Sequence, residues 1–277
     1  MSSDDVDAVR RDPDPLRRGR RATELLALYQ QRSTELARLR RAAVEEAHRQ
    51  RGMSYTEIAE ALGITKGRVT QLRSSAPAPE RAFFGIGPVT VALPLRTGEA
   101  GRERILVAAE DVATADQLDE MLVGLALTVT RTQMPMHTAQ PPSGDAVVIC
   151  GPKSAPVGGY LLDRDPYLGM VQDEGRWWMT STITAKRYGS PADDPDPTDC
   201  DLAYLARHQI DGRIVVHIAG IHSVGSLGVA HYLSQQLPEL FATVGDTEFS
   251  AAIRCTFDDL AITGSEVVVG PYQWGLR

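Results

Sequence analysis

Lysine is almost missing from this chain. Of its 29 basic residues only Lys66, Lys153 and Lys186 are lysines, so arginine carries nearly all the positive charge. Cysteine is scarce as well: Cys150, Cys200 and Cys255 are widely spaced, with neither a CxxC pair nor a Cys/His metal spacing. That pattern excludes a structural zinc motif and a disulfide framework, and it predicts reduced thiols in a cytoplasmic protein. Long apolar runs are absent too. The longest, near 121–129 and 214–221, fall well short of the ~20 residues a spanning helix needs. The opening Ser2-Ser3-Asp4-Asp5 is unlike a signal peptide. No metal, cofactor or membrane partner is expected.

What is present is unevenly distributed. The 277 residues suffice for two domains. Leu16 to Ser75 holds 13 Lys/Arg against 6 Asp/Glu, a balance of +7, whereas residues 76–277 hold 14 against 25, a balance of −11. A basic head on an acidic body suits a nucleic-acid reader attached to a sensing or docking domain.

Within the head, residues 55–74 fit a helix-turn-helix template. Ala59 is small where two helices cross, and Gly63 tolerates the positive φ of the turn. Ile58, Leu62, Ile64, Val69 and Leu72 fall at core-facing offsets. Thr65 is placed to cap a second helix whose outward face carries Lys66, Arg68, Thr70, Gln71 and Arg73. Arg and Gln match guanine and adenine edges, while Lys and Thr reach phosphates or bases, so these six residues are the expected contacts to double-stranded DNA. The alternative is a solvated helical hairpin packed on the next domain. The run Met53-Ser54-Tyr55-Thr56-Glu57-Ile58-Ala59-Glu60-Ala61-Leu62-Gly63-Ile64-Thr65-Lys66-Gly67-Arg68-Val69 resembles the helix-turn-helix of sigma-factor region 4 and of short actinobacterial transcriptional regulators. The resemblance spans residues 21–76 and implies DNA binding. No polymerase-binding region 2 is recognisable, which points to a regulator rather than an initiation factor.

Residues 1–20 mix Asp, Pro and Arg without apolar periodicity and are expected to be a disordered tail, its Arg17, Arg18, Arg20 and Arg21 either an arm along phosphates or a solvated cluster. From Thr23 to about Gln50, Leu25, Leu28, Tyr29, Leu36, Leu39 and Ala43 recur at helical spacing. They predict a long helix that packs inside the head or pairs with a second copy, and a homodimer follows from the two-fold symmetry common among operators. Residues 77–88 form a linker and 89–277 the body. There, strands are expected at Val89–Leu95, Ile105–Ala109, Ala146–Cys150, Ile214–Ala219, Phe249–Thr256 and Glu266–Val269. A hairpin is expected over Leu168–Val171 and Trp177–Ile183, with helices at 115–127, capped by Thr114, and 229–240. The expected fold class is therefore α+β multidomain: an N-terminal all-α helix-turn-helix followed by a C-terminal Rossmann-like α/β domain.

Two segments of the body run strand, glycine-containing loop, helix. In the first, Gly151, Lys153 and Ser154 follow an apolar strand; in the second, Gly220, His222, Ser223, Gly225, Ser226 and Gly228 do. Such loops sit at the carboxyl ends of strands, where glycines admit a ligand and helix N-termini attract anions, so these nine residues form the expected site for a nucleotide-like small molecule. Tight helix-on-strand packing demands the same glycines. Ser226 and Leu227 stand where a P-loop needs Lys and Ser/Thr, and no GxGxxG is present. In architecture the body resembles Rossmann-like sensor domains of bacterial regulators. His217 reads as structural and His222 as a hydrogen-bonding loop histidine. Asp193, Asp194, Asp196, Asp199 and Asp201 read as a solvated loop or a lid. The sequence thus predicts a non-enzymatic, DNA-binding transcriptional regulator whose body senses a ligand or dimerises. Two alternatives remain: a nucleotide-processing enzyme fused to a DNA-binding head, and an acidic domain that docks a protein.

Overall fold

The computed structural model describes residues 4–98 and 104–275; Ser2 and Ser3 lie outside them. Helices α1 (Asp4–Arg11), α2 (Pro15–Arg51), α3 (Tyr55–Ala61) and α4 (Lys66–Ser75) make up the N-terminal region. The tail expected to be disordered is helical. Asp14 caps α2 by accepting from Leu16 and Arg17 N–H, and Pro15 supplies a preset φ at the first helical position. The carboxylate of the buried Asp12 pairs with Arg17 at 2.7 Å and Arg21 at 3.0 Å. Helix α2 then runs unbroken through Ser33 and stops at Gly52, which takes φ 65°. Ser54 and Glu57 form a reciprocal capping box at α3. Gly63 takes φ 64° in the turn, and Thr65 caps α4 by accepting from Arg68 N–H. Val44, Ile58, Ala59 and Val69 close a small core between α2, α3 and α4. Leu62, expected in that core, is 49% exposed. Leu36 and Leu39, expected to pack within the head or against a copy, are also exposed.

The body is built on one seven-stranded sheet. Its strands are β1 (Val89–Pro94), β4 (Val129–Met134), β5 (Asp145–Ile149), β9 (Cys200–Ile210), β10 (Arg213–Gly220), β11 (Phe249–Asp258) and β12 (Ala261–Gln273), in spatial order β12-β11-β9-β10-β5-β1-β4. The β4, β1, β5 and β10 neighbours are parallel; the pairs β10–β9, β9–β11 and β11–β12 are antiparallel. Short strands β2 (Arg96–Gly98) and β3 (Arg104–Leu106) pair separately, so the strand expected over Ile105–Ala109 ends early and helix α5 (Ala109–Gly124) begins there. Thr114 does not cap α5; its hydroxyl donates back to Glu110 O inside the helix.

Alternation along the strands sets the layers. Val147 and Ile149 of β5 face α5 and α7 (Ser223–Val244), with Leu118, Leu122, Val229 and Leu233 in the same cluster. Ala146 and Val148 face α6 (Pro156–Leu162) through Val157 and Leu161. On that second face a three-stranded sheet of β6 (Leu168–Asp173), β7 (Arg176–Ser181) and β8 (Lys186–Gly189) covers Tyr204, Ala206 and Ala219 through Leu168 and Met179. Trp177 and Trp178 both lie half-buried on β7. Cys150, Cys200 and Cys255 are free and buried. Among the described residues no helix is long and apolar enough to cross a membrane.

A 3-10 helix, Pro79–Phe84, ties the helical region to the sheet. Arg207 of β9 donates to Phe83 O at 3.0 Å and Ala82 O at 3.2 Å, and Arg81 of the same segment reaches Gln31 of α2 at 2.9 Å. The segment expected to be a linker is therefore packed rather than free.

Helix α7 lies close to the sheet because Gly225 and Gly228 face it. A Cβ at Gly228 would stand 2.4 Å from Cys255 Cβ. Gly228→Ala gains at most about 1 kcal/mol of helix propensity, whereas overpacking costs about 1–3 kcal/mol, so net destabilisation is expected. In a Cys255→Gly background the penalty should shrink; a denaturant double-mutant cycle with no coupling would reject this packing account.

Candidate functional site

Two sites emerge, one on the helical region and one at the carboxyl edge of the parallel strands. On α4, Val69 and Leu72 are buried, while Lys66, Arg68, Thr70 and Gln71 are exposed together with the cap Thr65. Arg68 donates to Gln71 Oε1 at 2.6 Å, so the two side chains lie alongside each other on the open face. Thr70 Oγ1 donates to Lys66 O at 3.3 Å. Arg73 is placed differently from the other five: it donates to Glu45 of α2 at 2.7 Å and stacks over the Tyr55 ring at 4.3 Å. This pairing holds the Glu45 carboxyl below its usual range and raises the Arg73 guanidinium. Arg73 thus braces α4 against α2 and α3.

At the sheet edge, the loops after β5 and β10 meet. A Cβ on Gly151 would lie 3.8 Å from Gly220 O, and the Lys153 ammonium donates to Ile221 O. Although Lys153 is exposed as a residue, its ammonium folds back onto this loop. Burial first, then the nearby Arg96 charge, lower its pKa. Ser154 and Ser223 are half-exposed. His222 Nε2 pairs with Asp193 Oδ1 at 2.9 Å, and Asp193 belongs to a short 3-10 helix, Pro191–Asp193. The other residues of the expected site are engaged internally. Ser226 Oγ accepts from Gly220 N–H at 3.1 Å. A Cβ at Gly220 would collide with His222 O, and one at Gly225 would stand 2.5 Å from Asp201 Oδ2. The space beside Gly220, Gly225 and Gly228 is filled by the chain itself.

Three acidic or basic groups at this edge escape a reading of local motifs. Asp201, grouped above with a solvated loop, is the second residue of β9 and is fully buried at the start of α7, accepting from His222 N–H at 3.0 Å; its Oδ1 has no partner among the described residues. A buried carboxylate at that helix N-terminus occupies the position an anion would favour. Burial raises its pKa, partly offset by the Ser190 hydroxyl and the nearby His222. Arg96, just past β1, donates to Asp111 Oδ2 at 2.7 Å. Asp111 is 1% exposed in the first turn of α5; burial raises its pKa and Arg96 opposes the rise. The signal for Arg96 is its place one residue beyond the apolar run expected as the strand Val89–Leu95. For Asp111 and Asp201 the decisive neighbours are remote in sequence.

Arg96 and Lys153 flank the point where the chain leaves β1 for α5 on one face and β5 for α6 on the other. In open α/β sheets this topological switch opens a crevice for ligands. Chemically, the edge offers two cations, a histidine–aspartate pair and serine hydroxyls, suited to binding a polar molecule. No metal-binding cluster of His, Cys, Asp and Glu occurs among the described residues. Compared with known proteins, the chain matches no protein-family model and no curated protein significantly.

Proposed function

We propose that the chain is a sequence-specific DNA-binding transcriptional regulator, with α3 and α4 as a helix-turn-helix and a Rossmann-like body that binds a nucleotide-like small molecule. The observation that carries this reading is the division of α4. Its apolar side is locked into the core with α2 and α3, and its other side, from the Thr65 cap onward, presents Lys66, Arg68, Thr70 and Gln71 to solvent with no described element over them. A helix so presented fits the major groove, where Arg and Gln read base edges and the N-terminus approaches phosphate. The excess of positive charge over residues 16–75 supports the same reading by attracting the DNA backbone. Arg73 serves as a brace within the head.

For the body, what supports a ligand is the polar set around Lys153, Arg96 and His222 at the switch point. Lys153, Ser154, Ser223 and His222 are its contact residues. Gly225 and Gly228 shape the site from behind, so a Gly225→Val variant tests packing more than binding.

Selection of bound sequences from a randomised duplex pool supplies the test. A single enriched motif is expected. Arg68→Ala should then weaken binding to that motif by about 1–3 kcal/mol, roughly five- to 150-fold, in fluorescence anisotropy, and weaken random DNA much less. Failure to enrich any motif would reject the DNA-binding reading. Equal losses on both DNAs would assign Arg68 to phosphate.

A further inference from the structure

The backbone N–H groups that would cradle a phosphate in the loop after β10 are spent inside the chain. Gly220 N–H donates to Ser226 Oγ at 3.1 Å, Ile221 N–H to Leu202 O at 2.8 Å, His222 N–H to Asp201 Oδ2 at 3.0 Å and Gly225 N–H to His222 O at 3.2 Å. A phosphate-binding loop needs such groups free. Lys153, the cation a phosphate would use, is turned onto Ile221 O instead. Asp201 has no exposed surface, and a Cβ on Gly225 would stand 2.5 Å from its Oδ2. The glycine therefore makes room for the chain's own carboxylate.

Helix α5, the other long helix that starts at this edge, repeats the arrangement. Asp111, 1% exposed, sits in its first turn beside Glu110 and holds Arg96. Each of the two helix dipoles is thus met at its positive end by a buried carboxylate of the chain itself. The charges around the crevice agree with this. Arg96 and Lys153 are matched by Asp111, Asp193 and Asp201, while Arg176, 3.9 Å from Asp193, is balanced by Asp194 at 2.7 Å.

We propose that the ligand of this crevice is uncharged, a nucleoside rather than a nucleotide, and that Asp201 is the residue that refuses phosphate. The proposal rests on the body being a ligand-binding domain and sharpens the class of molecule it takes. A phosphate brought to the start of α7 meets spent donors and a carboxylate already in place, an arrangement that discriminates by repelling the wrong ligand. The groups left open suit hydroxyls. Asp193, partly exposed, pairs with His222 through one oxygen and keeps the other for a sugar diol; Ser154 and Ser223 are partly exposed, and Arg96 Nε has no partner among the described residues. An acidic side chain beyond a strand end is a common partner of ribose hydroxyls in such sheets.

Titration calorimetry of the full chain with adenosine, guanosine, cytidine, uridine and their 5′-monophosphates tests this. At least one nucleoside is expected to bind, roughly tenfold or more tighter than its own monophosphate. In Asp201→Ser, which removes the carboxylate, that preference is expected to fall to about threefold or less through tighter binding of the monophosphate. Asp201→Asn, of the same shape without the charge, carries the test if the serine variant does not fold, and should lower the preference by about threefold or more. A monophosphate that binds the parent within about tenfold of its nucleoside, or tighter, would overturn the inference and leave the ligand reading of the body standing. A smaller change than these in the variant that folds would overturn the role of Asp201. A parent protein that binds neither set would reject the inference and the ligand reading together, with DNA binding untouched.

Discussion

Replacing His208 with phenylalanine is expected to stabilise the protein by a margin that grows by about 3 kcal/mol between pH 7 and pH 4. His208 sits on β9 with no exposed surface, its ring against Trp274 at 4.9 Å, and neither nitrogen has a partner among the described residues. Burial, then the neighbouring His217, lower its pKa to about 2. His217, on β10, donates from Nε2 to Cys150 O at 2.7 Å, leaving Nδ1 buried and unpaired, and burial lowers its pKa to about 4. Both folded-state values lie below the ordinary 6.5. Above that pH neither state is protonated and the histidines cost nothing through linkage. As pH falls below 6.5 the unfolded chain binds the proton first, so stability is lost until the folded pKa is reached, about 3 kcal/mol for each by pH 4. Asp111, Asp165 and Asp201, raised by burial, act in the opposite sense over part of the same range. The parent's acid profile alone is therefore ambiguous, and the measurement is the difference between parent and His208→Phe in urea unfolding across pH. Parallel profiles would mean that His208 reaches water or a partner in the folded protein.

How much of this was legible beforehand follows the distance between a residue and what determines its state. The bounds of α3 and α4 are written locally, in Ser54 with Glu57, in Gly63 and in Thr65, and they can be read from the sequence to within a residue. The same holds for β5 and β10, which are uninterrupted β-branched runs. The start of α2 is less visible because arginines mask it; its determinants are the Asp14 cap and the ion pairs of Asp12. β9 escapes entirely. It contains Arg207 and His208, and only the carbonyls of Ala82 and Phe83, over a hundred residues away, make Arg207 tolerable inside a sheet. At the candidate site, sequence marks the two loops that meet but cannot tell a glycine facing a ligand from one facing its own sheet. Gly225 and Gly228 face Asp201 and Cys255, and neither neighbour is local.

The second large effect belongs to Arg81. Its side chain has no exposed surface and donates to Ile86 O at 2.6 Å, Ala126 O at 2.9 Å, Leu125 O at 3.3 Å and Gln31 Oε1 at 2.9 Å, with Glu35 the nearest carboxylate at 4.0 Å. Desolvation lowers the guanidinium pKa and Glu35 opposes it, the balance expected of a buried cation held mainly by carbonyl dipoles. Arg81→Ala removes the donor to four acceptors at once and leaves a cavity. A loss of about 3–5 kcal/mol is expected, or roughly 6–20 °C in the unfolding midpoint for a chain of this size. Arg81→Lys should recover less than half of it, since an ammonium cannot address acceptors spread around a planar fork. Gln31→Ala, which removes one of the four acceptors, should cost about 1–2 kcal/mol. The position of Arg81 gives these numbers a second meaning. It grips the carbonyl end of α5, and the Arg96–Asp111 pair grips the other end, about 24 Å away along a 16-residue helix. Helix α5 therefore joins the candidate ligand site to the middle of α2, at Gln31. On the proposed function, a ligand alters DNA affinity only by favouring one position of that rod over another. Arg81→Lys, if it folds, should then bind both DNA and ligand yet lose the coupling between them, measured as DNA affinity with and without ligand. Full coupling in that variant would move the connection to α7, whose far end meets the same segment through Arg207 and Asp246.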